Sequence, residues 1–198
     1  VYNANDYNKN YNGTASNVAF SNVKGNGASF NGTTSSISYQ NQWQTLSSFT
    51  ISIWVKPTTT PTGYQWIIDN RLVNTDATGA ILYCEYDGRI SFLATTTNNG
   101  WTDLGLIYFG YAPIGGIWTN YTIVKDGATL NAYTNGVLTR TTSASSGGYK
   151  ATQSTALIGQ TIVNDSRFHG FNGSISKFAI FNRALSASEV KEIYYEGN

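Results

Sequence analysis

The sequence predicts an all-β fold, a two-sheet antiparallel β-sandwich with one short C-terminal helix. Three observations carry that prediction. Residues 49–57 alternate, with Phe49, Ile51, Ile53 and Val55 on one side and Thr50, Ser52, Trp54 and Lys56 on the other. A period of two in β-branched and aromatic residues is the pattern of a strand with one apolar face. The turn dipeptides Asp87-Gly88, Asp126-Gly127 and Asn135-Gly136 separate further alternating blocks, and such pairs supply the positive φ that tight hairpins need. About a dozen short strand-like blocks lie between turn signals without a repeat of fixed period, which favours a sandwich over a solenoid or propeller.

In chain order, residues 1–26 are rich in Asn, Tyr and Gly and read as ordered loop, with a short strand near 17–20. Residues 27–31 and 35–39 read as short strands about a turn at Gly32. The 49–57 strand stops at Pro57, which has no amide hydrogen for a ladder. Its apolar side needs a partner layer, and the remaining strands supply it. Residues 58–63 and 70–79 read as loops around a short strand at 66–69. Residues 81–86 and 89–94 form a hairpin on Asp87-Gly88. Residues 95–117 hold a polar loop, a strand at 104–109 and a Gly/Pro-rich link. Residues 118–125, 128–134 and 137–142 form a meander on the other two turn pairs. A flexible loop (143–154), a short apolar block (156–158) and a polar stretch (162–168) precede an alternating strand at 175–181. The helix is expected over 187–194. Ser186 and Glu189 can satisfy each other's free amides, and Leu185 and Val190 can close over that turn.

One domain spanning 1–198 is the expectation for a β-rich chain of 198 residues. Such a chain buries roughly 70% of its unfolded surface, enough for a core without disulfides. Charged residues are 12% of the chain, against about 25% in an average domain, so Asn, Thr, Ser, Gly and Tyr make up the surface. That uncharged polar surface is common on extracellular and viral-particle proteins. A net charge of +1 without a Lys/Arg run argues against nucleic acid as a partner. Cys84 stands alone, cannot form an internal disulfide and reads as a small buried hydrophobe. No apolar run reaches about 18 residues, so direct membrane insertion is not expected, and no basic-then-apolar leader is present. The chain begins at Val1 and has no Met, which suggests a mature form or a piece of a longer protein.

In order and spacing, GASFNGTTSSISY, FTISIWVKP, DGRISF, WTNYTIVKDGATLNAYTNG, LIG and FNGSISKFAIFNRALSASEV resemble the laminin G-like, concanavalin A-like jelly roll. The resemblance runs over nearly the whole chain, and its closing segment is the most specific part. The opening NANDYNKNYNGT resembles the Asp-x-x-(Gly/Asn)-x-(Asn/Gly) stretch of many bacterial and viral members. The resemblance implies two curved sheets, one concave, and a domain that binds glycans or protein partners. In many members it implies a structural calcium too. The family is functionally broad, so fold does not settle function.

Calcium takes six to eight oxygen ligands, several of which can be carbonyl or amide oxygens. The resemblance implies that Asp6, Asn8 and Asn10 meet the strand turn at Asn31-Gly32 and the start of the last long strand. There Ser176 stands where many relatives carry an acidic residue, which removes a charge. The alternative is a plain hydrogen-bonded loop. Glycan recognition needs an aromatic face for the C–H side of a sugar and planar amides or carboxylates for its hydroxyls, with low affinity per contact. Trp101 is the first candidate, with Asn99, Asp103, Tyr111, Trp66 and Tyr64 around it. Trp43, Asn98 and Tyr108 are further residues of the same kind. The alternative for Trp101 is local packing. Trp54 and Trp118 occupy family framework positions and read as structural, although Trp54 alternates away from Phe49 and could line the concave sheet.

Catalysis has little support. Retaining glycosidases place two carboxylates about 5–5.5 Å apart. The close acidic pair within a strand-like block is Glu85 and Asp87, and Asp87 belongs to a turn. The Glu-x-Asp-x-x-Glu pattern of family 16 glycosidases and the Arg/His/Tyr motifs of jelly-roll lyases are absent. The lone His169 reads as a surface residue, with no Gly-x-Ser-x-Gly elbow for a triad. Asn-x-Ser/Thr triplets start at Asn12, Asn31, Asn120, Asn164 and Asn172, and are acceptors only where the source glycosylates secreted proteins. The function expected is therefore a non-catalytic, extracellular recognition module of a cell or virion surface that binds a glycan or polysaccharide. The alternative is a structural or protein-interaction domain of a filament, adhesin or viral fibre, with other surface or particle proteins as partners.

Overall fold

The computed structural model describes residues 12–22, 27–40, 43, 45–58, 63–71, 79–95, 105–111, 116–149, 155–162 and 168–197. In chain order, β1 (Thr14–Ser16), β2 (Ala19–Ser21), β3 (Gly27–Asn31) and β4 (Ser36–Gln40) lead to β5 (Ser48–Pro57). Next come β6 (Tyr64–Asp69), β7 (Gly79–Cys84), β8 (Arg89–Thr95) and β9 (Gly105–Tyr111). They are followed by β10 (Thr119–Asp126), β11 (Thr129–Thr134), β12 (Val137–Ser143), β13 (Thr155–Ile158), β14 (Phe168–Gly170), β15 (Asn172–Phe181) and α1 (Ala187–Gly197). One sheet runs β1-β4-β13-β6-β7-β8-β9, with β14 beside β6; the other runs β12-β11-β10-β5-β15-β3-β2. Among the described residues the pairings are antiparallel except β14 with β6. β13 pairs Ile68 and Asp69 at the end of β6, while β14 pairs Tyr64 to Trp66 at its start.

The core lies between the sheets. Phe49, Ile51, Ile53 and Val55 are at most 3% exposed and face the inner side chains of β6 to β9, including Ile67, Leu82, Phe92 and Ile107. Each such aliphatic or aromatic side chain stabilises the fold by about 1.5–3 kcal/mol on full burial. Trp43 is a core residue rather than a loop ligand. It is buried and meets Phe49 at 4.8 Å and Tyr149 at 5.1 Å, edge to face. Cys84 is buried among the same side chains, and that burial pushes its thiol up to about 12.

β5 differs from a half-buried strand, because its second face is covered too. Thr50, Ser52 and Trp54 are buried. Ser52, Asn120 and Thr122 join one another at 3.0 Å, so these polar groups satisfy one another beneath the outer layer. The Thr50 hydroxyl donates to Arg183 O at 2.9 Å and accepts from Leu185 N at 3.0 Å. Trp54 stacks on Tyr194 of α1 at 5.5 Å and 15°, so it holds the helix and does not line an open surface. A Cβ on Gly197 would come within 2.3 Å of the Trp54 indole.

The helix starts as its capping residues require. Ser186 N donates to Glu189 Oε2 at 2.8 Å, and Glu189 N donates to Ser186 Oγ at 3.3 Å. Leu185 and Val190 share one buried cluster. The helix continues past 194 to Gly197. Lys177, at φ 47 in the bulge of β15, donates its Nζ to Glu196 O at 2.9 Å and satisfies a carbonyl of the last turn. Among the described residues no helix is long and apolar enough to cross a membrane.

The three hairpins use three different turns. Asn135 and Gly136 both have positive φ, as expected for a two-residue turn. In the second, Asp126 already pairs with Thr129, and the turn residues are Gly127 and Ala128. In the third, a loop of residues 86–88 closes where Glu85 N donates to Arg89 O at 2.7 Å, and Gly88 takes the positive φ. Asp87 keeps to the usual side of φ because its Oδ1 accepts Arg89 N at 3.1 Å, fixing the turn from within.

Candidate ligand-binding site

The β7–β8 hairpin organises an outward-facing cluster on the sheet containing β6 to β9. Register places Trp66 opposite Tyr83, Tyr83 opposite Ser91 and Ser91 opposite Tyr108, one row across four strands. Nearer the turn, Arg89 lies opposite Tyr111. Opposite residues of a sheet share a face, so this end of the sheet carries a tyrosine field. Tyr64 meets Tyr83 at 6.0 Å and Tyr86 at 5.6 Å. Tyr86 and Tyr111 are 58% and 73% exposed and stand at the rim.

Charge sits in the middle of this field. Arg89 Nε donates to Asp87 Oδ2 at 2.7 Å, and Nη2 donates to Glu85 Oε2 at 2.9 Å. Its guanidinium lies 4.8 Å over the Tyr108 ring. The other oxygen of Glu85 accepts from the buried Ser91 hydroxyl. Glu85 is buried, whereas Arg89 and Asp87 keep about a third of their side chains in solvent. Burial, and secondarily the Glu85 charge, pushes the Tyr83 phenol well above its ordinary range, so it remains a hydrogen-bond donor. The arrangement offers flat apolar ring faces, carboxylate acceptors and a guanidinium within one patch.

Of the residues expected to bind, Tyr64 and Tyr111 belong to this patch, as does Tyr108. All three lie on strands β6 and β9 rather than in loops. Trp66 does not present its ring to a ligand. It is 1% exposed, with the Arg71 guanidinium 4.5 Å over its ring and Tyr83 beside it at 5.1 Å. Arg71 is fastened there through Asp69 by bonds of 3.0 and 2.7 Å, with the Thr161 hydroxyl closing the cluster. Trp66 is thus part of the floor beneath the patch. Asn98, Asn99, Trp101 and Asp103 lie outside the described residues. Tyr83, Tyr86 and Arg89 were not anticipated, and Glu85 was weighed only as half of an acidic pair. The alternation Tyr83, Glu85 before the turn and Arg89, Ser91 after it would have pointed to them. His169 is an exposed residue of β14 opposite Gln65.

Of the expected calcium ligands, Asn31 and Ser176 lie among the described residues. Asn31 Oδ1 already accepts from the backbone N–H groups of Thr33, Thr34 and Ser35 at 2.9–3.1 Å, tying the turn that follows β3. Gly32 does meet the start of β15, where an added Cβ would touch Asn172. Ser176, however, is buried opposite Trp54 while Asn31 pairs with Asn172. Four residues of extended chain separate those two register points by roughly 13 Å, too far to share one ion. Asp6, Asn8 and Asn10 lie outside the described residues. Among those described, no group of three His, Cys, Asp or Glu side chains could hold a metal. A void of about 10 Å³ between the sheets is lined by Trp43, Ile51, Phe92 and other core residues and is too small for a glycan.

Comparison with known proteins agrees with this architecture. The model of the concanavalin A-like lectin/glucanases superfamily matches residues 30–191. No curated protein matches the chain. Among solved structures, the botulinum neurotoxin serotype G binding domain is similar with a TM-score of 0.73 and 21% identity, over 94% of this chain and 47% of that one. The binding domain of botulinum neurotoxin DC, solved in complex with rat synaptotagmin II, gives 0.74 and 18%, over 96% and 48%. A structure of botulinum neurotoxin type C, whose cell entry depends upon interaction with two ganglioside molecules, gives 0.73 and 16%, over 96% and 48%. At these identities the likeness shows the fold. The chain spans about half the length of each of these solved chains.

Proposed function

The chain belongs to the concanavalin A-like lectin/glucanases superfamily, and from that premise we propose that it is a non-catalytic recognition module that binds glycans outside the cell, on a cell or virion surface. The observation that carries the reading is the pair of exposed rings, Tyr86 and Tyr111, on either side of the Arg89–Glu85–Asp87 cluster. Rings of this kind can lie against the C–H face of a sugar, while the carboxylates and the guanidinium exchange hydrogen bonds with its hydroxyls. The similar neurotoxin structures, one of a toxin whose cell entry depends upon gangliosides and another in complex with synaptotagmin II, support binding as the class of activity. Both oxygens of Glu85 are engaged within the protein, which supports a recognition role for the acidic pair over turnover.

A glycan array with the wild type and the double variant Tyr86→Ala/Tyr111→Ala tests this. Hits should weaken at least tenfold in the variant, about 1.4 kcal/mol, with an unchanged melting temperature because both rings are exposed. A blank array for the wild type would sink the glycan reading. A second reading, docking of a protein strand, is favoured by the edge position of β12, where Val137 and Leu138 are 66% and 51% exposed. It would show as partner binding that Leu138→Lys abolishes while the array stays empty.

A further inference from the structure

We propose that the tyrosine patch selects uncharged glycans over sialylated or sulfated ones, with Asp87 as the specificity-determining residue. This rests on the glycan-binding reading above. Arg89 is the one partly exposed cation of the patch among the described residues, since Arg71 is buried and paired with Asp69. Arg89 is already engaged by two carboxylates. Its Nε is bound to Asp87 and its Nη2 to Glu85, and its flat face lies over Tyr108. Two carboxylates against one guanidinium leave the cluster with a net charge of −1.

An incoming carboxylate or sulfate would meet a guanidinium whose charge two carboxylates already offset. It would also come to rest beside those two carboxylates, as a third negative charge around one cation. A neutral sugar meets neither obstacle. Its hydroxyls can donate to the carboxylate of Asp87, whose side chain is 32% exposed, and its C–H face can lie on Tyr86 or Tyr111. The acidic pair therefore works as a filter against negative charge, set within a surface otherwise suited to any pyranose ring.

The test is a matched pair of oligosaccharides that differ by one terminal sialic acid, titrated calorimetrically against wild type and Asp87→Asn. The amide of Asn keeps an oxygen for Arg89 N, so the turn is preserved while one negative charge is removed. The wild type should bind the asialo member at least tenfold more tightly. That preference should widen as salt is lowered, because charge repulsion is screened by salt. In Asp87→Asn the preference should shrink to about threefold or less. Equal or tighter binding of the sialylated member by the wild type overturns the filter and leaves the glycan reading standing. Failure of both members, together with a blank array, overturns both. If Asp87→Asn does not fold, the wild-type pair and its salt dependence decide the matter alone.

Discussion

Asn31 illustrates how one side chain can be spoken for before any ligand arrives. Its amide oxygen takes three successive backbone N–H groups, and its amide nitrogen donates to Thr34 Oγ1 at 3.0 Å. Replacing it should cost about 1–2 kcal/mol, because those donors must find water instead. Asn31→Ala should therefore melt about 2–8 °C lower, and by the same amount in chelator and in saturating calcium. A drop confined to the calcium sample would identify Asn31 as a ligand after all, since an ion that prefers the native form stabilises it. At this scale the sequence was a partial guide. Tyr64, Tyr108 and Tyr111 were recognisable as aromatic residues with polar neighbours, but Trp66 is composed in the same way and is buried under Arg71. What covers a side chain depends on residues brought from other strands, and Thr161 closing the Asp69–Arg71 pair is a contact that no local pattern announces.

At the scale of the element, the C-terminal helix owes its start to a charge-assisted cap. Glu189 accepts from Arg183 Nη2 and from Ser186 N and Oγ, which draws its carboxyl down to about 2. The folded-state value lies below the unfolded one, so the contribution is fully present above about pH 4.5 and is lost as pH falls toward 2. The stability gap between wild type and Glu189→Gln, read from urea melts, should be constant above pH 5 and close across that window. A gap that persists at pH 2 would show that the cap does not depend on the ionised carboxylate. The capping residues were legible because the motif is local. So was the Asn135-Gly136 turn. The 86–88 loop was read one residue too short, since Asp87 uses its side chain to hold Arg89 N instead of turning through positive φ. That one residue decides that Arg89 lies across the turn from Glu85, which explains why the site escaped a reading of residues one by one.

For the molecule as a whole, the alternation in residues 49–57 was enough to place the sandwich, and Ile53 sits at its centre with no exposed surface. Ile53→Ala should cost about 2–5 kcal/mol, through lost transfer energy and the cavity left behind. Val137→Ala on the exposed edge should stay within about 0.5 kcal/mol. Denaturant midpoints measure both, and comparable losses would mean that β12 is covered in solution. The outer face of β5 was not legible, because α1 and its partners lie far along the chain from the strand they cover.

The central position of β5 between β10 and β15 also dictates when it can be satisfied. A ribosome adds about 5–20 residues per second, so the strand emerges seconds before Asp126 can complete its first neighbour and longer before Phe181 completes the second. Throughout that interval a strand with four large apolar side chains on one face has two bare edges. Pairings so distant in sequence fold slowly, and an unpaired apolar strand invites a neighbouring nascent chain to take the empty place. The yield of soluble material should accordingly fall as translation slows and as temperature rises, well below any temperature at which the finished molecule melts.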